Sequence, residues 1–216
     1  SSIEKKRLCD TDRQLLQELE TEKSLLVQEK EKSEQLLLNV LPQAIAARLK
    51  NGEKVIAEKQ EATTVGFTDL VGFTPYARNA EPVDVVTMLN RIFSNFDLMS
   101  ARHGVEKIKT IGDCYMFAAG VPIPVEDHAR RVADTALEMV RFLERFNARF
   151  GTEFQIRIGL NSGPLVAGII GKQKFAYDIW GDAVNLASRM ESSGVPGRIH
   201  ISESTRIALG SDYEYE

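Results

Sequence analysis

Apolar and polar residues follow two different periods along this chain, and the switches between them divide it into segments. Residues 1–41 hold no Gly and no Pro and are rich in Glu, Lys, Gln and Leu, all good helix formers. One heptad register places Leu8, Leu15, Leu19, Leu26, Leu36 and Val40 on the a/d seam. The same register puts Asp12, Glu22, Glu29 and Ser33 there, which predicts a coiled coil with a weak or shifting middle. A single solvated helix of this length would lack tertiary support, so a two-stranded coil is the expectation. Pro42 opens a short second helix through Leu49, Asn51-Gly52 stops it, and residues 54–61 read as a linker.

From residue 62 strands and helices alternate. Residues 62–68 read as a strand that Asp69 ends, before a turn over 70–74. A helix from Pro82 carries Val85, Leu89, Ile92, Phe93, Phe96 and Met99 at helical spacing, with Gly104 past its end. Residues 105–111 and 114–118 form a hairpin about Gly112-Asp113. A second helix from about Glu126 turns Val132, Ala136, Val140 and Leu143 inward and closes at Gly151, and 154–160 is a fourth strand. Residues 164–170 and 175–179 read as further strands, 181–192 as a helix, and 198–201 as a last short strand before another helical turn.

The order β-α-β-β-α-β predicts an α/β (α+β) sandwich with a ferredoxin-like core and a C-terminal extension, preceded by the coiled-coil helix. In that fold the third strand lies antiparallel between the first and second, so strand order alone brings Asp69 and Asp113 to one sheet end. Two carboxylates beside a Gly-containing turn offer oxygen ligands to a hard cation and backbone amides to the phosphates it bridges. The chain reads first as a metal-dependent phosphoryl-transfer protein.

Composition narrows this further. At 216 residues the chain suits one ordinary domain plus an extension, and its formal charge of −4 argues against a nucleic-acid binder. Cys9 and Cys114 stand in unlike contexts without metal-ligand spacing, which fits a reducing compartment. No apolar run approaches membrane-spanning length. The start, Ser1-Ser2-Ile3-Glu4, looks cut from something longer. Residues 168–173 lack the spacing and hydroxyl of a P-loop, and no Gly-x-Ser-x-Gly elbow or zinc-type His pair occurs, with His103, His128 and His200 scattered.

Four runs together are more specific than any one. Residues 67–74 (Phe-Thr-Asp-Leu-Val-Gly-Phe-Thr), 106–116 (Glu-Lys-Ile-Lys-Thr-Ile-Gly-Asp-Cys-Tyr-Met), 157–163 (Arg-Ile-Gly-Leu-Asn-Ser-Gly) and 177–190 (from Tyr177-Asp178 through Asn185 to Arg189-Met190) closely resemble the class III nucleotidyl cyclases. The resemblance covers residues 62 to about 205, and residues 41–58 resemble the transducing stretch before receptor-type cyclase domains. It implies a coiled-coil signalling helix over 1–41, a short helix and transducing linker over 42–61, and a catalytic domain over 62–216. The closing C-terminal hairpin of the family, with its triphosphate-binding lysine, is absent from this sequence.

The resemblance also implies roles. Asp69 and Asp113 would hold two Mg²⁺ or Mn²⁺ ions, with the Leu70 carbonyl as a further ligand. Gly72, Phe73 and Thr74 would offer backbone groups to the triphosphate, and Arg157 would neutralise it. Lys109 and Asp178 match the pair that reads adenine; guanylyl cyclases typically carry a glutamate and a cysteine or serine there. Asn185 would orient the ribose and Arg189 would stabilise charge on the α-phosphate. The implied activity is an adenylyl cyclase converting ATP to cyclic AMP and pyrophosphate in a homodimer. One subunit would supply Asp69, Asp113 and Arg157, and the other Lys109, Asp178, Asn185 and Arg189. A membrane or receptor portion upstream and a cytoplasmic catalytic domain are expected. The rivals are a guanylyl cyclase and a silent dimerisation or nucleotide-sensing module. Taken singly, Lys109 and Arg157 read equally as solvated strand residues, Arg189 as a partner of Glu191 or Asp182, and Asp178 as a helix cap.

Overall fold

The computed structural model describes residues 2–171 and 174–216, with residues 2–14 and 18 as backbone only. The chain divides into two compact units, Ser1–Lys50 and Asn51–Glu216. In the first, α1 (Ser2–Leu38) is one continuous helix, and α2 (Gln43–Lys50) follows Pro42. The seam residues Leu15, Leu19, Leu26, Leu36 and Val40 are all exposed, whereas Leu8 and Asp12 lie outside the described side chains. No helix among the described residues is long and apolar enough to cross a membrane.

The second unit holds two sheets. β2 (Thr64–Val71), β3 (Glu106–Ile111), β4 (Cys114–Ala119), β5 (Gln155–Ser162) and β8 (Ile199–Ile201) form a five-stranded sheet in the order β3-β4-β2-β5-β8. β4 is antiparallel to both β2 and β3, and β5 is antiparallel to β2. This is the expected ferredoxin-like order, with β8 added parallel to β5. A smaller antiparallel sheet, β1-β6-β7, is made of β1 (Ala57–Gln60), β6 (Leu165–Ile170) and β7 (Ala176–Trp180).

One face of the large sheet is covered by α4 (Pro82–His103) and α5 (His128–Phe150). Leu70, Tyr115, Phe117, Ile156, Ile158 and Leu160 meet Ile92, Phe96, Val132, Ala136, Met139 and Leu143 in one core. Each helix delivers these residues at three- and four-residue spacing and stops at a left-handed glycine, Gly104 or Gly151. The opposite face carries α6 (Asp182–Ser192), whose buried stripe Ala183, Ala187 and Glu191 turns toward the sheet. The chain closes with α7 (Glu203–Leu209), capped by the Ser202 hydroxyl.

Three sequence expectations need correction. Residues 54–61 are not all linker, because Ala57–Gln60 pairs with β6 across the register Ala57↔Gly168 to Gln60↔Leu165. Asp69 does not end its strand: β2 runs on to Val71, since Leu70 is buried in the core and pairs with Ile156. The turn over 70–74 shrinks to Gly72, at φ 93°, from which α3 (Phe73–Asn79) begins at once.

Candidate active site

The face of the large sheet away from α4 and α5 receives every second residue of its strands. On β2 these include Asp69, which lies opposite Cys114 on β4 and Arg157 on β5. Asp113 is therefore one residue from the strand position facing Asp69, as strand order required. The Arg157 guanidinium donates through Nη2 to Asp69 Oδ2 at 3.0 Å and through Nε to Glu191 Oε1 at 2.7 Å. Asp69 and Arg157 are each about a quarter exposed, and Glu191 on α6 is buried.

Glu191 reaches Arg157 because Gly159 lets α6 lie directly on β5. A Cβ at Gly159 would stand 1.9 Å from the Glu191 backbone nitrogen. Sequence reasoning weighed Glu191 only as a partner for Arg189 and so missed this contact. The residues are 34 positions apart on separate elements, and the one available signal was a glycine inside a strand pattern.

Electrostatics follow from this crowding. Burial, then the charges of Asp113 and Glu191, raise the Asp69 carboxyl above its ordinary value, and Arg157 only partly opposes them. Glu191 in turn raises Arg157 further above its usual range. Burial, with Glu191 and Asp69 nearby, pushes the Cys114 thiol up to about 12, so it stays a neutral neighbour.

A second group joins the two sheets. Lys109 on β3 donates from Nζ to Asp178 Oδ2 on β7 at 2.5 Å, with Lys109 about two-fifths exposed and Asp178 largely covered. Asp178 Oδ1 accepts from the adjacent Ile179 N–H, so Asp178 does not cap α6, whose N-terminal flanking residue is Gly181. A third group lies on α6, where Asn185 and Arg189 stand four residues apart on its exposed side. Arg189 has no carboxylate partner among the described residues, so neither Glu191 nor Asp182 takes it up. At the C-terminal end of β2, Gly72 makes no side-chain cap and Phe73 and Thr74 open the first turn of α3.

Asp69, Asp113 and Arg157 thus form one cluster, Lys109 and Asp178 another, and Asn185 with Arg189 a third. Among the described residues no hydrogen bond or ion pair links the first cluster to the other two.

The chain resembles known proteins in sequence and in fold. The adenylate and guanylate cyclase catalytic-domain profile matches residues 55–216. An adenylate cyclase of Mycobacterium bovis is 45% identical over 86% of this chain, and a soluble guanylate cyclase beta-2 subunit of Rattus norvegicus is 44% identical over 89%. The chain spans 42% and 28% of the lengths of those two relatives. Among solved structures, the catalytic core of a rhodopsin-guanylyl cyclase with converted specificity, in complex with ATPαS, superposes with a TM-score of 0.70. It is 40% identical and covers 73% of this chain and 86% of that one. By sequence and by fold, the chain belongs to the class III adenylate and guanylate cyclase catalytic-domain family.

Proposed function

We propose that this domain is an adenylyl cyclase, forming 3′,5′-cyclic AMP and pyrophosphate from ATP. Adenylyl and guanylyl cyclases are about equally similar to the chain, so likeness alone does not choose the base. The observation that carries the choice is the Lys109–Asp178 pair. An ammonium can donate to the adenine ring nitrogen while a carboxylate accepts from the exocyclic amine, and guanine presents the reverse pattern on that edge. Against GTP the same two side chains would be left facing like groups, a mismatch that discriminates strongly in a desolvated site.

Asp69 and Asp113, with the Leu70 carbonyl, are the residues suited to hold Mg²⁺ or Mn²⁺. They fit as hard oxygen donors, and burial followed by the charges of Asp113 and Glu191 raises the Asp69 carboxyl against the opposing pull of Arg157. No group of three or more His, Cys, Asp or Glu able to hold an ion alone occurs among the described residues. Mg²⁺ is commonly held by one or two carboxylates together with substrate phosphates. Held by Asp69, Asp113 and the Leu70 carbonyl, such ions would supply Lewis acidity at the ribose 3′-hydroxyl and at the leaving pyrophosphate.

The chain's own groups supply the rest. The first-turn amides at Gly72, Phe73 and Thr74 face the triphosphate, and Arg157 neutralises it. Asn185 fixes the ribose, and Arg189 presents a fork of donors to the α-phosphate as its charge grows. Within one chain the Asp69 cluster is not bonded to Lys109, Asp178, Asn185 or Arg189, which supports a site completed by a second copy. In this reading residues 1–41 pair as a coiled coil, residues 42–61 transmit its state, and residues 62–216 catalyse on the cytoplasmic side of a receptor or membrane portion.

Cyclic nucleotide formation from ATP and from GTP, with Mg²⁺ and with Mn²⁺, tests the reading. The wild type is expected to prefer ATP, and Lys109→Glu combined with Asp178→Cys is expected to abolish that preference and gain some GTP turnover. Unchanged ATP/GTP discrimination in the double variant would remove these residues from base recognition.

A further inference from the structure

β5 presents Arg157, Gly159 and Asn161 to the face that carries α6, at the two-residue period of a strand. The residues between and beside them, Ile156, Ile158 and Leu160, lie in the core under α4 and α5. Arg157 and Gly159 meet the C-terminal end of α6 at Glu191. Asn161 meets the other end of the same helix.

Asn161 is only 2% exposed, and both halves of its amide are engaged. Nδ2 donates to the Ala183 carbonyl, in the first turn of α6, at 2.9 Å. Oδ1 accepts from the Ser204 hydroxyl of α7 at 3.0 Å. The amide can face only this way, because a backbone carbonyl accepts and never donates, so the NH₂ group must meet Ala183. Ser204 Oγ lies 2.9 Å from the hydroxyl of Ser202, the cap of α7, and the Ser202 N–H donates to the Leu160 carbonyl of β5 at 3.1 Å. The end of β5 thus fixes the start of α7, Ser204 orients the amide, and the amide holds the start of α6.

That start has no side-chain cap of its own, because the residue before it is Gly181. Packing does not call for an amide here either, since burying one is costly unless its hydrogen bonds are made. Asn185 stands in the same first turn, two residues past Ala183, and its N–H donates to the Gly181 carbonyl at 3.2 Å. Without Asn161 the polar ties between β5 and α6 reduce to Arg157–Glu191 at the far end, about which the first turn is free to swing and carry Asn185 with it.

We propose that Asn161 is a positioning residue that seats the first turn of α6 and so holds Asn185 in place against the ribose. Ser204 acts one step further out, by orienting the Asn161 amide. Buried under α6, Asn161 works through the helix and not by contact with the nucleotide. The inference rests on the assignment of Asn185 to the ribose.

The test is a double-mutant cycle between Asn161→Ala and Asn185→Ala, with Ser204→Ala and Ser204→Thr beside it. Asn161→Ala should fold, because a helical carbonyl keeps its intrahelical donor and the exposed Ser204 turns to water. Its Tm should fall by no more than about 5 °C. Its kcat/KM for ATP should fall about tenfold, as misplacement of a substrate-orienting group does. GTP should lose by the same factor, since the ribose is common to both nucleotides. Ser204→Ala should show part of the fall, and Ser204→Thr, which keeps the hydroxyl, none of it. In the Asn185→Ala background, adding Asn161→Ala should cost less than about twofold more, because the group it positions is already gone.

Wild-type turnover in Asn161→Ala would overturn the proposal. So would a full tenfold loss repeated in the Asn185→Ala background, which would reduce the contact to general packing, and so would a changed ATP/GTP ratio, which would move the effect to the base. If Ser204→Thr loses as much as Ser204→Ala, the hydroxyl does not orient the amide and that part falls. If Asn185→Ala itself turns over like the wild type, the ribose assignment fails and takes the positioning role with it.

Discussion

Arg157 sits between two acids of different standing, the quarter-exposed Asp69 and the buried Glu191. At the proposed cation site, Glu191 would keep the guanidinium in place if an ion drew Asp69 away. It is also one of the charges that raise the Asp69 carboxyl, after burial and Asp113. A carboxyl raised in the folded state contributes stability that is full below the unfolded value and is lost as pH rises through the folded one. The contribution of Asp69 to the fold is therefore greatest in acid and is lost as pH rises through its raised folded value. Glu191→Gln should keep the hydrogen bond to Arg157 while deleting a charge, so the Asp69 carboxyl should fall toward its ordinary value. The acid limb of the pH–rate profile at limiting Mg²⁺, where protons and the ion compete, should then move to lower pH. A limb that stays in place would show that Glu191 does not act on Asp69. At this scale the positions of the motif residues on their strands and helices are legible, because each belongs to a contiguous run. Glu191 is not, because its role depends on a contact between α6 and β5 that no local spacing encodes.

Among elements, the decisive contact is the seating of α6 on β5. Gly159 removes the side chain that would hold them apart, and α6 then presents Glu191 inward and Asn185 and Arg189 outward from one rigid helix. Gly159→Ala would set a Cβ 1.9 Å from backbone, which cannot yield as a flexible side chain does. Overpacking of this kind costs about 3 kcal/mol, equivalent to a fall of about 10 °C in Tm for a domain of this size. Activity of the folded fraction should fall further than the melting shift explains, because all three functional residues of α6 move together. Wild-type activity and Tm in this variant would show that the close seating is dispensable. The main strands and helices were legible because their periods are clean, two in the strands of the large sheet and three to four in α4 and α5. β1 was read as linker because Ala-Glu-Lys-Gln has no apolar alternation, and only its pairing with β6 makes it a strand. α3 was read as a turn because Pro75 and a run of seven residues hide it, although proline is tolerated in a first helical turn.

At the scale of the whole molecule, the groups proposed for turnover fall into clusters that no hydrogen bond or ion pair joins among the described residues of one chain, and the described seam leucines of α1 are exposed. A dimer answers both. Each of its two sites would draw Asp69, Asp113 and Arg157 from one copy and Lys109, Asp178, Asn185 and Arg189 from the other. A coil over residues 1–41 would set how the copies meet. Its seam includes Glu22, Glu29 and Ser33, and polar seam residues weaken a coil while leaving its register adjustable. A small rotation there would change how well the two halves of each site align. Mixing Asp69→Ala chains with Arg189→Ala chains separates these ideas. In the mixed dimer one site lacks both groups and the other is complete, so forced heterodimers should recover about half the wild-type turnover per dimer. With residues 1–41 present this recovery should persist on dilution; without them it should appear only at high protein concentration, in step with dimer formation followed by sedimentation. Heterodimers as inactive as either parent would refute the shared site. Recovery with the same concentration dependence in full-length and truncated pairs would leave the shared site standing and reduce the N-terminal helix to a passive tether.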